Sequence, residues 1–393
     1  MALLRGDVAV ESPSGQPLAV VLFAEEDGRF EAIDLFPLRE PGPYFFTVLP
    51  GRYRISAFED EHDDLIFRGS EPFGHALGAR PIEVEGDHDR DGLDIVVGSA
   101  AAPPLEAPID ALSVWSQSAR SRANFAEGRS ASGGSLAEVG SLVEIDDPRF
   151  SYENARLGLW EPIQFLSRVG WGIYFLEAYD PAKTPVLFVH GVLGFPRQWE
   201  YIVRHLDRSR FQPWLVFDPT GFGLERLGTR LAIELEMLQR AYAFDQIVVV
   251  AHSMGGLVSR EMIEELERRG GAEALRLYVT FSTPWNGAPA AGWAPAPPPG
   301  FSFEEIRPFY DSLEPDSPFL TQLLASPLPK QMPYYLFYGT DDHTVARESV
   351  LDPRATKAAR EVFSFPATHV GILSNRAAVQ KLHRILAETD GPP

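Results

Sequence analysis

Ser253 is the residue of this chain best placed to attack another molecule. It stands in the stretch Gln246–Gly256, QIVVVAHSMGG. The five residues Ile247 to Ala251 form an unbroken small apolar run, the mark of a strand buried on both faces. After Gly255 the period changes. Val258, Met262 and Leu266 recur on one helical face, while Glu261, Glu264, Glu265 and Arg268 lie largely elsewhere, which is an amphipathic helix. Ser253 therefore falls on a sharp strand-to-helix turn. Strand and helix crowd together at such a turn, so small residues are needed two before and two after the serine; Ala251 and Gly255 meet that need. This is a nucleophile elbow, with Ala in place of the first Gly of G-x-S-x-G. It lifts the hydroxyl out of the sheet and sets backbone N–H groups and the positive end of a helix beneath it.

A serine nucleophile needs a base, and the base needs a carboxylate to orient it. Of nine histidines, His369 alone lies between the last expected strand, Glu361–Phe365, and the closing helix, Ala377–Glu388. His383 falls inside that helix and reads as a surface residue. His343 follows a pair of acids too closely for a separate loop. His190 and His252 flank the site and read as packing or hydrogen-bonding residues. The acids Asp341 and Asp342 follow the expected strand Tyr334–Tyr338. Neighbours in extended backbone point opposite ways, so only one of the two can face His369. Upstream, the strand Pro185–Val189 ends in His190-Gly191, and Gly191 and Gly194 allow a backbone N–H to come close to the nucleophile.

Taken together, these segments resemble the α/β-hydrolase lipases and esterases, including the subgroup with Ala-His-Ser-Met-Gly at the elbow. Ser282-Thr283-Pro284-Trp285-Asn286-Gly287 also resembles the segment after the sixth strand in bacterial lipases and GPI-inositol-deacylase-like proteins. The resemblance covers about residues 139–390. It implies a doubly wound, mainly parallel sheet and the chain order serine, acid, histidine. Residue by residue, it implies Ser253 as nucleophile, His369 as base, and the N–H groups of Val192 and Met254 as an oxyanion hole. The family's acid usually follows the strand's glycine as G-x-x-D, with an apolar plug three residues later. Gly339 and Val345 then point to Asp342. The implied activity is hydrolysis of an ester or lipid-like substrate through an acyl-enzyme, with no cofactor and no metal. The same parts run acyl transfer, amide and thioester chemistry. A non-catalytic binding protein on this scaffold is a further alternative, which the intact set of triad residues argues against.

Residues 286–330 fall where lids are inserted in this family. Ala294–Gly300 is a stiff proline-rich start, and Phe301, Phe303, Ile306, Phe309 and Tyr310 supply an apolar surface. This is a lid and acyl-binding wall, or else a packed connection. Leu193, Trp285, Phe301 and Phe303 are the candidate substrate contacts.

The remaining elements have to carry these residues. From about residue 139 strands and helices alternate: Trp171–Tyr179, Pro185–Val189, Trp214–Phe217, Ile247–Val250, Leu277–Phe281, Tyr334–Tyr338 and Glu361–Phe365 as strands, Pro196–Leu206 and Leu224–Tyr242 as helices. Alternation of this kind means a parallel sheet with sites at the strand C-termini. Residues 1–100 read instead as short strands broken by turn signals, which suggests an all-β sandwich. In it, PGRYRISAFED resembles a hairpin of transthyretin-like or carboxypeptidase-regulatory accessory domains, and the domain would bind a polymer or a partner surface. Residues 101–138, rich in Ala, Pro and Ser, read as a linker.

Composition narrows the partners. The 393-residue chain carries a net charge of −20, which argues against nucleic acid and anionic membranes. It contains no cysteine, so disulfides and thiolate chemistry are excluded. No apolar run reaches transmembrane length. The N-terminal apolar run is too short for a signal peptide, so the chain as written reads as unexported, although a chain cut after a leader would look the same. Asp87, Asp89 and Asp91 alternate ahead of Gly92 as in a calcium-wrapping loop, but Gly98 stands where that loop needs Glu. A solvated hairpin loop is the expectation there.

Overall fold

The computed structural model describes residues 2–26, 28–38, 41–48, 50–62, 65–85, 90–98, 105, 107–110, 137–288 and 306–389. The chain divides into two compact units, residues 1–139 and 140–393.

The first unit is rich in strands: β1 (Ala2–Val10), β2 (Leu18–Glu26), β3 (Arg29–Leu38), β4 (Pro43–Val48), β5 (Gly51–Glu59), β6 (Ile66–Phe67), β7 (Phe73–His75), β8 (Ile82–Val84), β9 (Ile95–Val97) and β10 (Ile109–Asp110). One sheet runs β3-β2-β5-β7, with β8 also on β5; a second runs β4-β1-β9; a third pairs β10 with β6. Leu18 to Leu22 of the central strand β2 are all buried, because strands flank it on both edges and apolar residues cover both its faces. Asp91 is exposed and pairs with Arg5 at 2.8 Å, while Asp87 and Asp89 lie outside the described residues.

The second unit is built on an eight-stranded sheet in the order β11-β12-β14-β13-β15-β16-β17-β18. Its strands are β11 (Ala137–Leu142), β12 (Trp171–Phe175), β13 (Thr184–Val189), β14 (Phe211–Phe217), β15 (Ile247–His252), β16 (Leu275–Phe281), β17 (Tyr334–Gly339) and β18 (Glu361–Phe365). β12 runs antiparallel to β14, and every pairing from β14 through β18 is parallel. All residues of β14, β15 and β17 are buried, which is why these strands read as continuous apolar runs rather than alternating ones.

Ten helices carry the crossovers: α1 (Tyr152–Trp160), α2 (Pro162–Arg168), α3 (Glu200–His205), α4 (Leu224–Tyr242), α5 (Met254–Arg268), α6 (Arg307–Leu313), α7 (Pro318–Ala325), α8 (Arg347–Val350), α9 (Pro353–Ala358) and α10 (Arg376–Thr389) among the described residues. In α4, Leu224, Leu227, Leu231, Leu235 and Leu238 recur at helical spacing and are buried. The helix ends where Ala243 turns left-handed, at φ 53° and ψ 35°. α4 packs against α5, and α5 lies on β13 and β15. α10 turns Ala378, Val379, Leu382, Ile385 and Leu386 into a cluster with Val186, Phe188, Val248 and Val250 of the sheet. Truncating Leu382 to Ala there would cost about 2–5 kcal/mol, the transfer and cavity terms together.

Some elements depart from the sequence pattern for identifiable reasons. β14 starts at Phe211 rather than Trp214. Gln212 reads as a break, yet its buried amide is fully used: Nε2 donates to the carbonyls of Asp180 (2.9 Å) and Lys183 (2.7 Å), and Oε1 accepts from Asp180 N–H (3.0 Å). Pro213 lies beyond the residues that pair with β12, so its missing N–H leaves no ladder bond unmade on that edge. The helix expected over 196–206 is a tight turn, Pro196–Trp199, followed by the short α3. His383, expected at the surface, is partly buried, and burial pushes its imidazole below the usual range.

The α4–α5 contact makes a pH prediction. Glu261 of α5 faces α4 at Gly228, where an added β-carbon would lie 2.4 Å from the Glu261 side chain. Burial first, then repulsion from Glu264, Glu225 and Glu265, pushes its carboxyl up from 4.5 to about 7. In the unfolded chain this acid ionises near pH 4.5 while in the fold it holds its proton until about 7. The folded state is thus disfavoured progressively between those values, and no further above them. Allowing for partial exposure, the penalty is about 1–2 kcal/mol. Glu261→Gln should therefore leave the melting temperature of this unit unchanged at pH 4.5 and raise it by about 3–6 °C at pH 8. A shift of equal size at both pH values in scanning calorimetry would contradict this account.

Candidate active site

Ser253 connects β15 to α5 with φ 55° and ψ −133°, a backbone region that disfavours any residue with a β-carbon. The surroundings hold it there. Ser253 N–H donates to the Phe281 carbonyl of β16 at 2.8 Å, and its own carbonyl accepts from Gly256 N–H at 3.0 Å. The crowding that the elbow requires is measurable. A β-carbon on Gly255 would lie 2.4 Å from the carbonyl oxygens of Val189 and His190, and one on Gly191 would lie 2.6 Å from Ser253 Cβ. The residue is only 8% exposed.

The loops after β17 and β18 bring two further groups to it. Nε2 of His369 stands 2.9 Å from Ser253 Oγ, and Nδ1 stands 2.7 Å from Asp342 Oδ2. The other oxygen, Oδ1, accepts from Thr344 N–H at 2.9 Å and Val345 N–H at 3.0 Å. Burial works to raise the Asp342 carboxyl, but the hydrogen bond and charge of His369 and the two N–H groups hold it below the usual range. Asp342 is therefore an anion that can only accept. Nδ1 must carry the proton, which leaves Nε2 of the neutral ring free to accept from Ser253 O–H. Val345 is buried, anchoring the loop. Asp341 is exposed, and its backbone N–H binds the Ala367 carbonyl at 3.1 Å.

Two buried histidines back these groups. His252 Nε2 lies 2.9 Å from the His369 carbonyl oxygen. Burial pushes its imidazole down to about 3, so the ring is neutral, and with a carbonyl as partner Nε2 is the protonated nitrogen. His190 Nδ1 lies 2.9 Å from the Gly191 carbonyl, and its Nε2 accepts from Asp218 N–H at 3.3 Å. Burial pushes the Asp218 carboxyl up.

The other candidates are less uniform in their placement. Val192 follows Gly191 and Met254 opens α5; neither backbone N–H donates to a backbone acceptor among the described residues. Leu193 shapes that loop with φ 56°, and Gly194 N–H closes it on the Gly191 carbonyl at 2.9 Å. Trp285 is not on an open wall. It is 1% exposed, edge-on to Tyr334 at 5.9 Å, so its place is in the core. Phe301 and Phe303 lie outside the described residues. A cavity of about 520 Å³ flanks the Asp342 loop, walled by Asn286, Ala288, Pro315, His343, Glu348 and Ser349. In the sequence His252 carries only the signal of its place beside the serine, because its partner is 117 residues away. Among the described residues no group of three acids or histidines is placed to hold a metal, and no helix is long and apolar enough to cross a membrane.

Residues 186–381 match the model of the alpha/beta hydrolase family. No curated protein matches the chain. Among solved structures, lipase B of Aspergillus fumigatus is 14% identical, with 56% of each chain covered and a TM-score of 0.44. A thermophilic esterase of Thermogutta terrifontis, solved with butyrate bound, is 18% identical over 56% of this chain and 90% of its own, with a TM-score of 0.42. A Listeria innocua protein is 15% identical over 52% of this chain and 94% of its own, at a TM-score of 0.41.

Proposed function

Because this chain belongs to the alpha/beta hydrolase family, we propose that it is a serine carboxylic ester hydrolase working through an acyl-enzyme. The observation that carries the reading is the run of contacts from Ser253 Oγ to His369 Nε2 at 2.9 Å and from His369 Nδ1 to Asp342 Oδ2 at 2.7 Å, at a strained strand-to-helix turn.

In this reading Ser253 Oγ attacks the ester carbonyl carbon while its proton passes to His369 Nε2. The carbonyl oxygen takes the negative charge, and the N–H groups of Val192 and Met254 are the donors that meet it. The ester C–O bond breaks, and the departing alcohol oxygen takes the proton from His369. The acyl group is then held on Ser253. A water gives its proton to His369 and attacks the same carbon, and the acid leaves as Ser253 recovers its proton. Asp342 stays ionised throughout and stabilises the imidazolium formed twice per turnover.

Residues 286–330 are read as a lid over an acyl site, residues 1–100 as an accessory β-sandwich and residues 101–138 as their connection. No catalytic motif lies before residue 139, so a fragment of residues 139–393 should turn over p-nitrophenyl butyrate within a few-fold of the full chain. A folded but inactive fragment would give the N-terminal unit a part in the site.

The reading is tested by a serine-directed phosphonate and a p-nitrophenyl ester series of increasing acyl length. Stoichiometric labelling of Ser253, with loss of turnover, is expected. Labelling elsewhere would overturn it, and acyl groups delivered to an added alcohol in preference to water would make the enzyme a transferase.

A further inference from the structure

His252 has a task that the triad alone does not describe. It closes β15, directly before Ser253, and is buried. Its ring lies 4.7 Å from the ring of His369, with the two planes at 47°, and is edge-on to Trp199 at 6.5 Å. Its Nε2 meets the main-chain oxygen of His369 at 2.9 Å. His369 sits on a loop beyond the edge strand β18, whose next residue, Val370, is 49% exposed. The main-chain bonds around it, Asp341 N–H to the Ala367 carbonyl and Ile372 N–H to the Thr368 carbonyl, hold the loop to the neighbouring β17 loop and to itself. The His252 bond reaches instead from the nucleophile's own strand.

We propose that His252 is a positioning residue. Its imidazole ties the backbone of His369 to the strand that carries Ser253, and so fixes the distance between nucleophile and base. This rests on the reading of Ser253 and His369 as nucleophile and base. Burial keeps His252 neutral, and a protonated ring would donate from the same Nε2, so the tie holds in either state. A misplacement near 1 Å between reacting groups costs about a hundredfold in rate. The effect should appear in kcat and in the rate of serine modification, and not in KM.

Two variants separate this role from packing. His252→Gln keeps a donor at the position of Nε2, whereas His252→Leu keeps the bulk and removes the donor. Rates are normalised to the fraction of Ser253 that a phosphonate labels in the full-length protein. His252→Leu should lose about 10- to 100-fold in kcat and in phosphonylation rate, with KM within about twofold, and His252→Gln should recover most of it. Equal losses in both variants, or none in either, would overturn the proposal. Nitrogen-15 NMR of histidine-labelled wild type tests it without any variant. A His252 signal with its proton on Nε2 is expected, and a neutral ring that carries its proton on Nδ1 would overturn it. If instead wild-type Ser253 takes no label at all, it is the reading of the triad that fails.

Discussion

Ser253→Ala should lower ester turnover by about a millionfold while the fold persists. The loss is large because Oγ is the group that forms the covalent bond in the proposed reading, and without it only binding and oxyanion donors are left to assist a direct attack by water. The fold persists because Oγ contributes little to it. The backbone bonds of residue 253, to Phe281 and from Gly256, survive the substitution. Alanine keeps the β-carbon, so the strain at φ 55° is neither relieved nor increased. The measurement is paired: p-nitrophenyl ester kinetics and thermal melting on the same preparation. An alanine variant with full activity, or one labelled by a phosphonate at another serine, would remove Ser253 from the mechanism.

The next largest effect belongs to a pair of neighbouring acids. Asp342→Asn should lower kcat by about 10⁴, and Asp341→Asn should leave it near normal. Asp342 is engaged at both oxygens: Oδ1 accepts two backbone N–H groups, and Oδ2 accepts from His369 Nδ1. An amide has only one oxygen. Whichever way the substituted amide turned, its NH₂ would face a donor. Turning the NH₂ toward the backbone N–H groups would leave two donors opposed. Turning it toward the histidine can be relieved by moving the ring proton from Nδ1 to Nε2, but a protonated Nε2 cannot accept from Ser253. The charge that stabilises the imidazolium is lost in either case. Asp341 has an exposed side chain and holds its loop through its backbone N–H, which the amide variant retains. The reverse outcome in paired kinetics would transfer the orienting role to Asp341 and leave Ser253 and His369 untouched.

How far the sequence reached depends on whether the signal was local. The strand and helix around Ser253 were legible because their periods change across a few residues, and α4 was legible from its leucine spacing. α1 and α2 were not. Gly158 interrupts the first and Pro162 opens the second, so no helical period stands out across them. Gly158 is there for packing, since a β-carbon would meet Phe165 at 3.0 Å and Pro219 at 3.2 Å. The three residues singled out at the site do meet in space, in the order of the chain. Trp285 lies buried and edge-on to Tyr334, a contact that nothing in the sequence around it signals. The hold of His252 on His369 has no local signal. It exists only once β15 and the loop after β18 are neighbours.

The backbone of residue 253 also bears on how such a chain would evolve. At φ 55° and ψ −133° glycine is the residue at ease. Ser253→Gly would relieve about 1–3 kcal/mol of conformational strain and abolish the nucleophile at once. A population screened for thermal persistence alone, with no demand for turnover, would drift toward glycine at this position. Under the proposed function, serine there stands against the gradient of stability, and continued selection for chemistry is what would keep it.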